Sequence, residues 1–362
     1  MSVTEATRFS DLSASPIRPP SQAEVKSVLS DLKDWGREHA AIARLLGEDG
    51  PLKDFVVAAF TLSPYLRDTA RIDPGLLARA LDEPILPAIE AAIARARAAW
   101  RPDDGEVTEA VLMTRLRLAK REVAFLTALA DLARIFDARR TTALLTALAE
   151  AATSAAIDHL LLSAHESGKL KLPDPARPSE KSGLIVLGMG KLGAAELNYS
   201  SDIDLVVFFD PMADVAVDPS EAVETFSRLV RRLIRIMQER TADGYVFRTD
   251  LRLRPDPGAT PLAISFDSAM LYYEGRGQNW ERAAFIKARP VAGDLKAGEA
   301  FLKGLVPFVF RKYLDYAAIA DIHSIKRQIH VHKGHGEIAV KGHNVKLGRG
   351  GIREIEFFVQ TQ

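Results

Sequence analysis

Residues 183–210 read GLIVLGMGKLGAAELNYSSDIDLVVFFD. The stretch parses as an apolar strand, a glycine-rich turn into a short helix, and Ser201-Asp202-Ile203-Asp204 opening a second apolar strand. Side chains alternate faces along a strand, so Asp202 and Asp204 point the same way while Ile203 and Leu205 point into the core. Two carboxylates one strand repeat apart suit a hard divalent cation such as Mg2+. That ion takes one or two protein carboxylates and completes its shell with phosphate oxygens. The turn at Gly188 and Gly190 lets backbone amides approach a phosphate, with the charge of Lys191 close by. Ser201, immediately before the first aspartate, is a further candidate for binding the nucleotide or phosphate.

A third carboxylate is expected on a neighbouring strand. Residues 245–255, YVFRTDLRLRP, read as that strand, and period two places Asp250, Arg252 and Arg254 on one face with Leu251 and Leu253 on the other. Asp250 then completes the metal site with Asp202 and Asp204. Arg252 and Arg254 bind phosphate, because a guanidinium fork matches phosphate oxygens two at a time. The bland alternative is an exposed edge strand of mixed charge. A DxD alone or a GxG alone is a weak signal; the ordered combination describes a nucleotidyltransferase site.

Four blocks carry a specific resemblance: 188–210, VFRTDLRLRPDP at 246–257, YYEGRGQNWERAAFIKARPVAGD at 272–294, and KLGRGGIREIEFFVQTQ at 346–362. In this order they resemble the bifunctional glutamine synthetase adenylyltransferase/adenylyl-removing enzymes, from about residue 20 to the end. Members of that family are much longer and carry two nucleotidyltransferase halves in tandem. The 198–204 version of the motif and the helical segment ahead of it resemble the N-terminal half. The resemblance implies an α+β fold: a polymerase-beta-like nucleotidyltransferase mixed sheet with a helical N-terminal domain and a helical C-terminal segment. It also implies removal of AMP from a tyrosine of glutamine synthetase by phosphorolysis, with Mg2+, phosphate and an adenine nucleotide at the site and the PII signalling protein as a regulatory partner. Three rival readings stand beside this one: adenylylation of a protein from ATP, a nucleic-acid polymerase or tRNA nucleotidyltransferase on the same fold, and a catalytically silent regulatory binding module.

Composition fits such an enzyme. The 362 residues are 47% hydrophobic, enough for two or three domains with cores of their own. Lys plus Arg and Asp plus Glu are equal at 48 each, which argues against a nucleic-acid partner. The chain has no cysteine, which excludes disulfides and makes the cytoplasm the natural setting. No apolar run is expected to reach transmembrane length. The expected organisation is a disordered tail at 1–20, a helical domain at 21–167, a linker at 168–182, the catalytic domain at 183–310, and the start of a helical domain at 311–362. Ser21 with Glu24 signals the first helix start, and Gly168 a helix stop.

Within the catalytic segment a helix is expected over 219–240. Its buried stripe is Phe226, Leu229, Leu233 and Met237, and Arg228, Arg231, Arg232 and Arg235 form a solvated face. The resemblance places Asn279, Trp280, Glu281 and Arg282 on the nucleotide side of the site. On physical grounds Trp280 belongs to the core, and Lys287 and Arg289 serve either phosphate or the surface. His330, His332 and His335 have a spacing compatible with a transition metal but lack a fourth ligand. Residues 352–362 open an amphipathic helix with no stop, as in a piece of a longer chain.

Overall fold

The computed structural model describes residues 6–12, 14–102, 106–310, 342–346 and 348–361. The three histidines at 330–335 and the helical block expected from about 315 lie outside them. Two compact units interleave along the sequence. One comprises Met1–Leu160, Ala195–Ile203 and Arg232–Thr249; the other comprises Leu161–Ala194, Asp204–Arg231 and Asp250–Gln362.

The first unit is helical. Its elements are α1 (Gln22–Trp35), α2 (Ala40–Gly47), α3 (Pro51–Leu62), α4 (Pro64–Ile72), α5 (Pro74–Asp82), α6 (Ile85–Arg97), α7 (Glu109–Leu132) and most of α8 (Ala138–Glu166). Ser21 caps α1, accepting from the Glu24 amide while its hydroxyl donates to the Glu24 carboxylate at 2.7 Å. Proline opens α3, α4 and α5, where its missing N–H costs nothing. Phe55, Phe60 and Phe125 are fully buried, and the last two rings lie 6.3 Å apart. By length and composition α8 is apolar enough to cross a bilayer, contrary to the sequence reading. Yet 72% of its apolar window is buried inside the fold, as in a core helix.

Two later segments join this unit through specific bonds. The Leu197 amide donates to Thr146 on α8, and the Tyr199 hydroxyl donates to Asp131 on α7. Arg117 on α7 is 1% exposed and donates to the carbonyls of Met113, Gly244 and Glu239. A guanidinium never gives up its proton in a protein, so these carbonyls are what makes its burial tolerable.

The second unit is built on a five-stranded sheet: β1 (Leu184–Gly188), β2 (Ile203–Phe209), β3 (Thr249–Asp250), β4 (Ala263–Ser265) and β5 (Arg289–Gly293). Strand order is β3-β2-β1-β5, with β4 also on β2. β1 runs antiparallel to β2 and β5, whereas β4 runs parallel to β2, so the sheet is mixed as expected. Residues 205–209 are apolar without alternation because both faces are covered. Phe209 stacks on Phe226 of α10 (Ala222–Gln238) at 4.7 Å, and Phe208 stacks on Phe301 of α13 (Leu295–Val309) at 4.5 Å. With α11 (Phe266–Gly275), α13 covers the face carrying Ile185, Leu187, Val206 and Phe208. The α10 stripe of Phe226, Leu229, Leu233 and Met237 is buried. Its arginines are ion-paired: Arg228 and Arg231 to Glu224, Arg232 and Arg235 to Glu109.

Gly168 ends α8 at φ +70. The proline-rich stretch after it is pinned to the sheet unit. Leu170 and Leu172 are buried, and the Lys171 amide donates to the Val215 carbonyl at 2.7 Å.

Arg117→Met removes the donor shared by three carbonyls while keeping most of the side-chain volume. Chemical denaturation should show a loss on the order of 2 kcal/mol, the usual cost of orphaned buried polar groups. An unfolding midpoint equal to that of the unsubstituted chain would show that Arg117 is not what fixes the 239–244 segment to α7.

Candidate active site

The site starts at the turn that leaves β1. Gly188 closes the strand, the Met189 amide donates to the Asp204 carbonyl at 2.9 Å, and residues Gly190–Gly193 make a single helical turn, α9. Gly190 has φ +52, the left-handed region in which a side chain is strained, and a Cβ there would sit 3.2 Å from the Asp204 carboxylate. Gly193 is tighter: a Cβ would stand 1.9 Å from the Lys287 carbonyl and 2.5 Å from that of Gly188. Arg289, at the start of β5, donates through its guanidinium to the carbonyls of Leu192 and Gly193, both at 3.2 Å. These groups lie at the C-terminal end of α9, where a cation suits the partial negative charge. Lys191 is exposed on the same turn.

Asp204 is half-buried on β2 between Ile203 and Leu205, both fully buried, so the alternation expected from the sequence holds at this end of the strand. Asp202, which belongs to the helical unit, is exposed and accepts from the Arg248 guanidinium. Arg248 also donates to the Ser200 carbonyl and the Tyr245 hydroxyl. Ser201 is half-buried, its amide donating to the Asn198 carbonyl. Asp250 ends β3, the strand next to β2. Arg252 holds the Asp250 carboxyl below the usual carboxylate range by donating to it from both its side chain and its amide. Among the described residues no three His, Cys, Asp or Glu groups lie together as a ready metal-ligand set.

The long strand expected over 245–255 does not form. Regular pairing is confined to Thr249–Asp250, and the chain then enters a series of turns. Pro255 and Pro257 have no amide to offer a ladder, and the Arg252 amide is taken by the Asp250 side chain. The shared face predicted for Asp250, Arg252 and Arg254 is therefore absent. Arg252 is 85% exposed and folds back on Asp250. Arg254 turns into its own loop, donating to the carbonyls of Leu251 and Pro257, and burial lowers its proton affinity.

The segment after α11 corrects a second expectation. Trp280, expected in the core, is 37% exposed on α12 (Asn279–Phe285). Its neighbour Glu281 occupies the core position instead, with no exposed surface. Glu281 accepts from the Gln278 amide at 2.7 Å and from the Tyr272 hydroxyl at 3.3 Å. Among the described residues its other oxygen has no hydrogen-bond partner, and burial pushes its carboxyl above the usual range. Lys287 pairs with Glu356 on α14 (Ile352–Thr361). Sequence reasoning missed the inward anchoring of Glu281 and the buttressing role of Arg289. The spacing of Gln278 and Glu281, the reach of a capping box, was a signal for the first. Arg289 bonds carbonyls almost a hundred positions away and left no local signal.

Two measurements bear on this architecture. Gly193→Ala should cost more than about 2 kcal/mol of stability, because backbone atoms must move to admit the methyl group; a neutral melting temperature would mean the turn and β5 do not meet so closely. For Glu281, the fold holds the proton more tightly than the unfolded chain does. Its contribution to stability is therefore complete below pH 4.5 and is lost as pH rises through the higher folded value. Glu281→Gln should flatten that part of the stability profile, and an unchanged profile would exclude a neutral carboxyl there.

Comparison with known proteins adds the family. The model of the family described as Glutamate-ammonia ligase adenylyltransferase matches residues 54–304. A second, described as GlnD PII-uridylyltransferase, matches residues 323–362. The bifunctional glutamine synthetase adenylyltransferase/adenylyl-removing enzyme of Agrobacterium fabrum (strain C58 / ATCC 33970) is 68% identical over 99% of this chain and 36% of its own length. Its counterpart in Rhizobium meliloti (strain 1021) is 68% identical over 98% of the chain and 36% of its own length. That of Brucella suis biovar 1 (strain 1330) is 56% identical over 96% and 35%. The chain thus spans about a third of the length of the curated relatives it matches. With this coverage and identity, the chain belongs to the glutamate-ammonia ligase adenylyltransferase family of nucleotidyltransferases.

Proposed function

We propose that this chain removes AMP from the adenylylated tyrosine of glutamine synthetase by phosphorolysis, releasing ADP. The observation that carries the reading is the pairing of the Gly190 turn with the Asp204 carboxylate on adjoining elements, a phosphate cradle beside an acid. The form of the motif at 198–204 supports the adenylyl-removing rather than the adenylylating direction, as do the helices that precede it.

Asp202, Asp204 and Asp250 are the carboxylates proposed to hold magnesium. The donor chemistry suits it, since all three are hard carboxylate oxygens; Asp202 and Asp250 are paired here with Arg248 and Arg252, which a bound cation would have to displace. When bound, the metal supplies neutralisation of charge on the α-phosphate oxygens. The protein's own groups position the reactants. The Gly188–Gly190 turn presents backbone to phosphate, and Lys191 brings a positive charge to the same turn. Arg289 keeps that turn in place. An oxygen of inorganic phosphate attacks the α-phosphorus in line. The bond from phosphorus to the tyrosine oxygen breaks, and the phenolate leaves and takes a proton from water. Phosphate is already an anion at neutral pH, so no side chain is assigned as general base. Arg252 is exposed enough to swing towards the incoming phosphate. Cytoplasmic glutamine synthetase is the protein substrate in this reading. The match of 323–362 to a PII-uridylyltransferase family supports a place for the PII signalling protein among the partners.

Incubation with adenylylated glutamine synthetase, magnesium and labelled phosphate should yield labelled ADP, and chelation of magnesium should stop it. Asp204→Asn should lower the rate more than about 100-fold while the fold remains intact, since loss of a ligand exceeds the effect of an outer-sphere change. Label passing from ATP into unmodified glutamine synthetase would reverse the proposed direction. Full activity of Asp204→Asn would remove the acid from the site.

A further inference from the structure

Asp202 is exposed in a short loop, 198–202, between two fully buried anchors, Leu197 and Ile203. Both ends are pinned. The Leu197 amide donates to the Thr146 hydroxyl on α8 at 3.1 Å, and the Ile203 amide donates to the Arg248 carbonyl at 2.9 Å. Asn198 turns the loop on itself: its side chain accepts from the Tyr199 amide at 2.8 Å and its carbonyl from the Ser201 amide at 3.1 Å. Tyr199 reaches out of the loop instead. Its hydroxyl donates to the Asp131 carboxylate at 3.1 Å, 68 positions earlier and in the last turn of α7. Loop, Asp131, Thr146 and Arg248 all belong to the helical unit.

Asp131 is poorly placed for the sake of its own helix. The free carbonyls at a helix C-terminus carry partial negative charge and disfavour an acid there. Among the described residues no cation pairs with Asp131. The phenol is the group that offsets this cost. Burial, followed by the charge of Asp131, raises the Tyr199 hydroxyl above its usual range, so it keeps its proton and remains a donor. Arg248 bonds the Asp202 carboxylate directly, yet a cation on Asp202 displaces that guanidinium. The Tyr199 bond uses neither oxygen of Asp202 and is compatible with a loaded site.

We propose that the Tyr199–Asp131 hydrogen bond positions Asp202 for the metal, by tying its loop to α7 before the cation arrives. Tyr199 and Asp131 are positioning residues, acting through the loop and not on a reactant. The inference rests on the reading of Asp202 as a magnesium ligand. A carboxylate on a loop held in advance loses less conformational freedom on binding a cation, and so binds it more tightly.

The test is titration of the chain with Mn2+, which takes the same hard oxygen ligands as Mg2+, with the free ion counted by electron paramagnetic resonance. Melting temperatures without metal are recorded alongside. Asp202→Asn should weaken binding and so identify the ligand. Tyr199→Phe and Asp131→Leu should each weaken it at least about fivefold, towards the low end of what supporting residues contribute to metal affinity. The double variant should be no weaker than either single one, because both remove the same bond. Asp131→Asn keeps an acceptor oxygen for the phenol and should bind like the unsubstituted chain. A merely structural bond would lower the metal-free melting temperature and leave the Mn2+ affinity of Tyr199→Phe unchanged, and that result overturns the inference. Additive losses in the double variant, or equal losses in Asp131→Asn and Asp131→Leu, overturn it as well. Unchanged binding in Asp202→Asn, or no binding by the unsubstituted chain, removes the ligand reading and the inference together. Weakening in Asp202→Asn without weakening in Tyr199→Phe removes the inference alone.

Discussion

Position 193 has room for a hydrogen and nothing larger, since a methyl group would lie 1.9 Å from the Lys287 carbonyl. That close approach sets how the turn leaving β1 meets the chain entering β5, and the rest of the site is arranged around it. Because the backbones touch, the Arg289 guanidinium reaches the carbonyls of Leu192 and Gly193 and closes the end of the turn. The turn in turn fixes Gly190, whose bare α-carbon faces the Asp204 carboxylate. Glycine at this position is a packing requirement, and the order of the turn follows from it.

The sheet supplies the other half of the constraint. β2 is buried on both faces from Leu205 onward, with Phe226 on one side and Phe301 on the other. An acid has no place within that run. At the strand's opening the covering helices no longer exclude water, and Asp204 is half-buried there. The candidate-site carboxylate thus sits where the apolar core ends, held by core packing and partly open to solvent.

Much of the arginine content of this chain works as structural cement. Arg117 gathers three carbonyls, Arg254 ties its own loop, Arg289 caps a turn, and the α10 arginines share Glu109 and Glu224. Guanidinium suits the task because its planar fork bonds several acceptors and stays charged when half-buried.

The sequence by itself determined the family, the strand, turn and strand of β1, α9 and β2, and the buried stripe of α10. It also pointed to Asp202, Asp204 and Asp250 beside the glycine turn as the candidate site. These are local properties: alternation, helical spacing, caps and a motif all act within a few residues. Tertiary structure decided the rest. It cut the strand expected over 245–255 to Thr249–Asp250, sent Arg252 and Arg254 in different directions, exposed Trp280 and buried Glu281. It also drew 195–203 and 232–249 into the helical unit, although the sequence places them within the catalytic segment. Each of these outcomes turns on which donor finds which acceptor, or which backbone meets which, often a hundred residues apart. Periodicity measures only where a side chain points along its own element. It carries no information on the carbonyl waiting on another one.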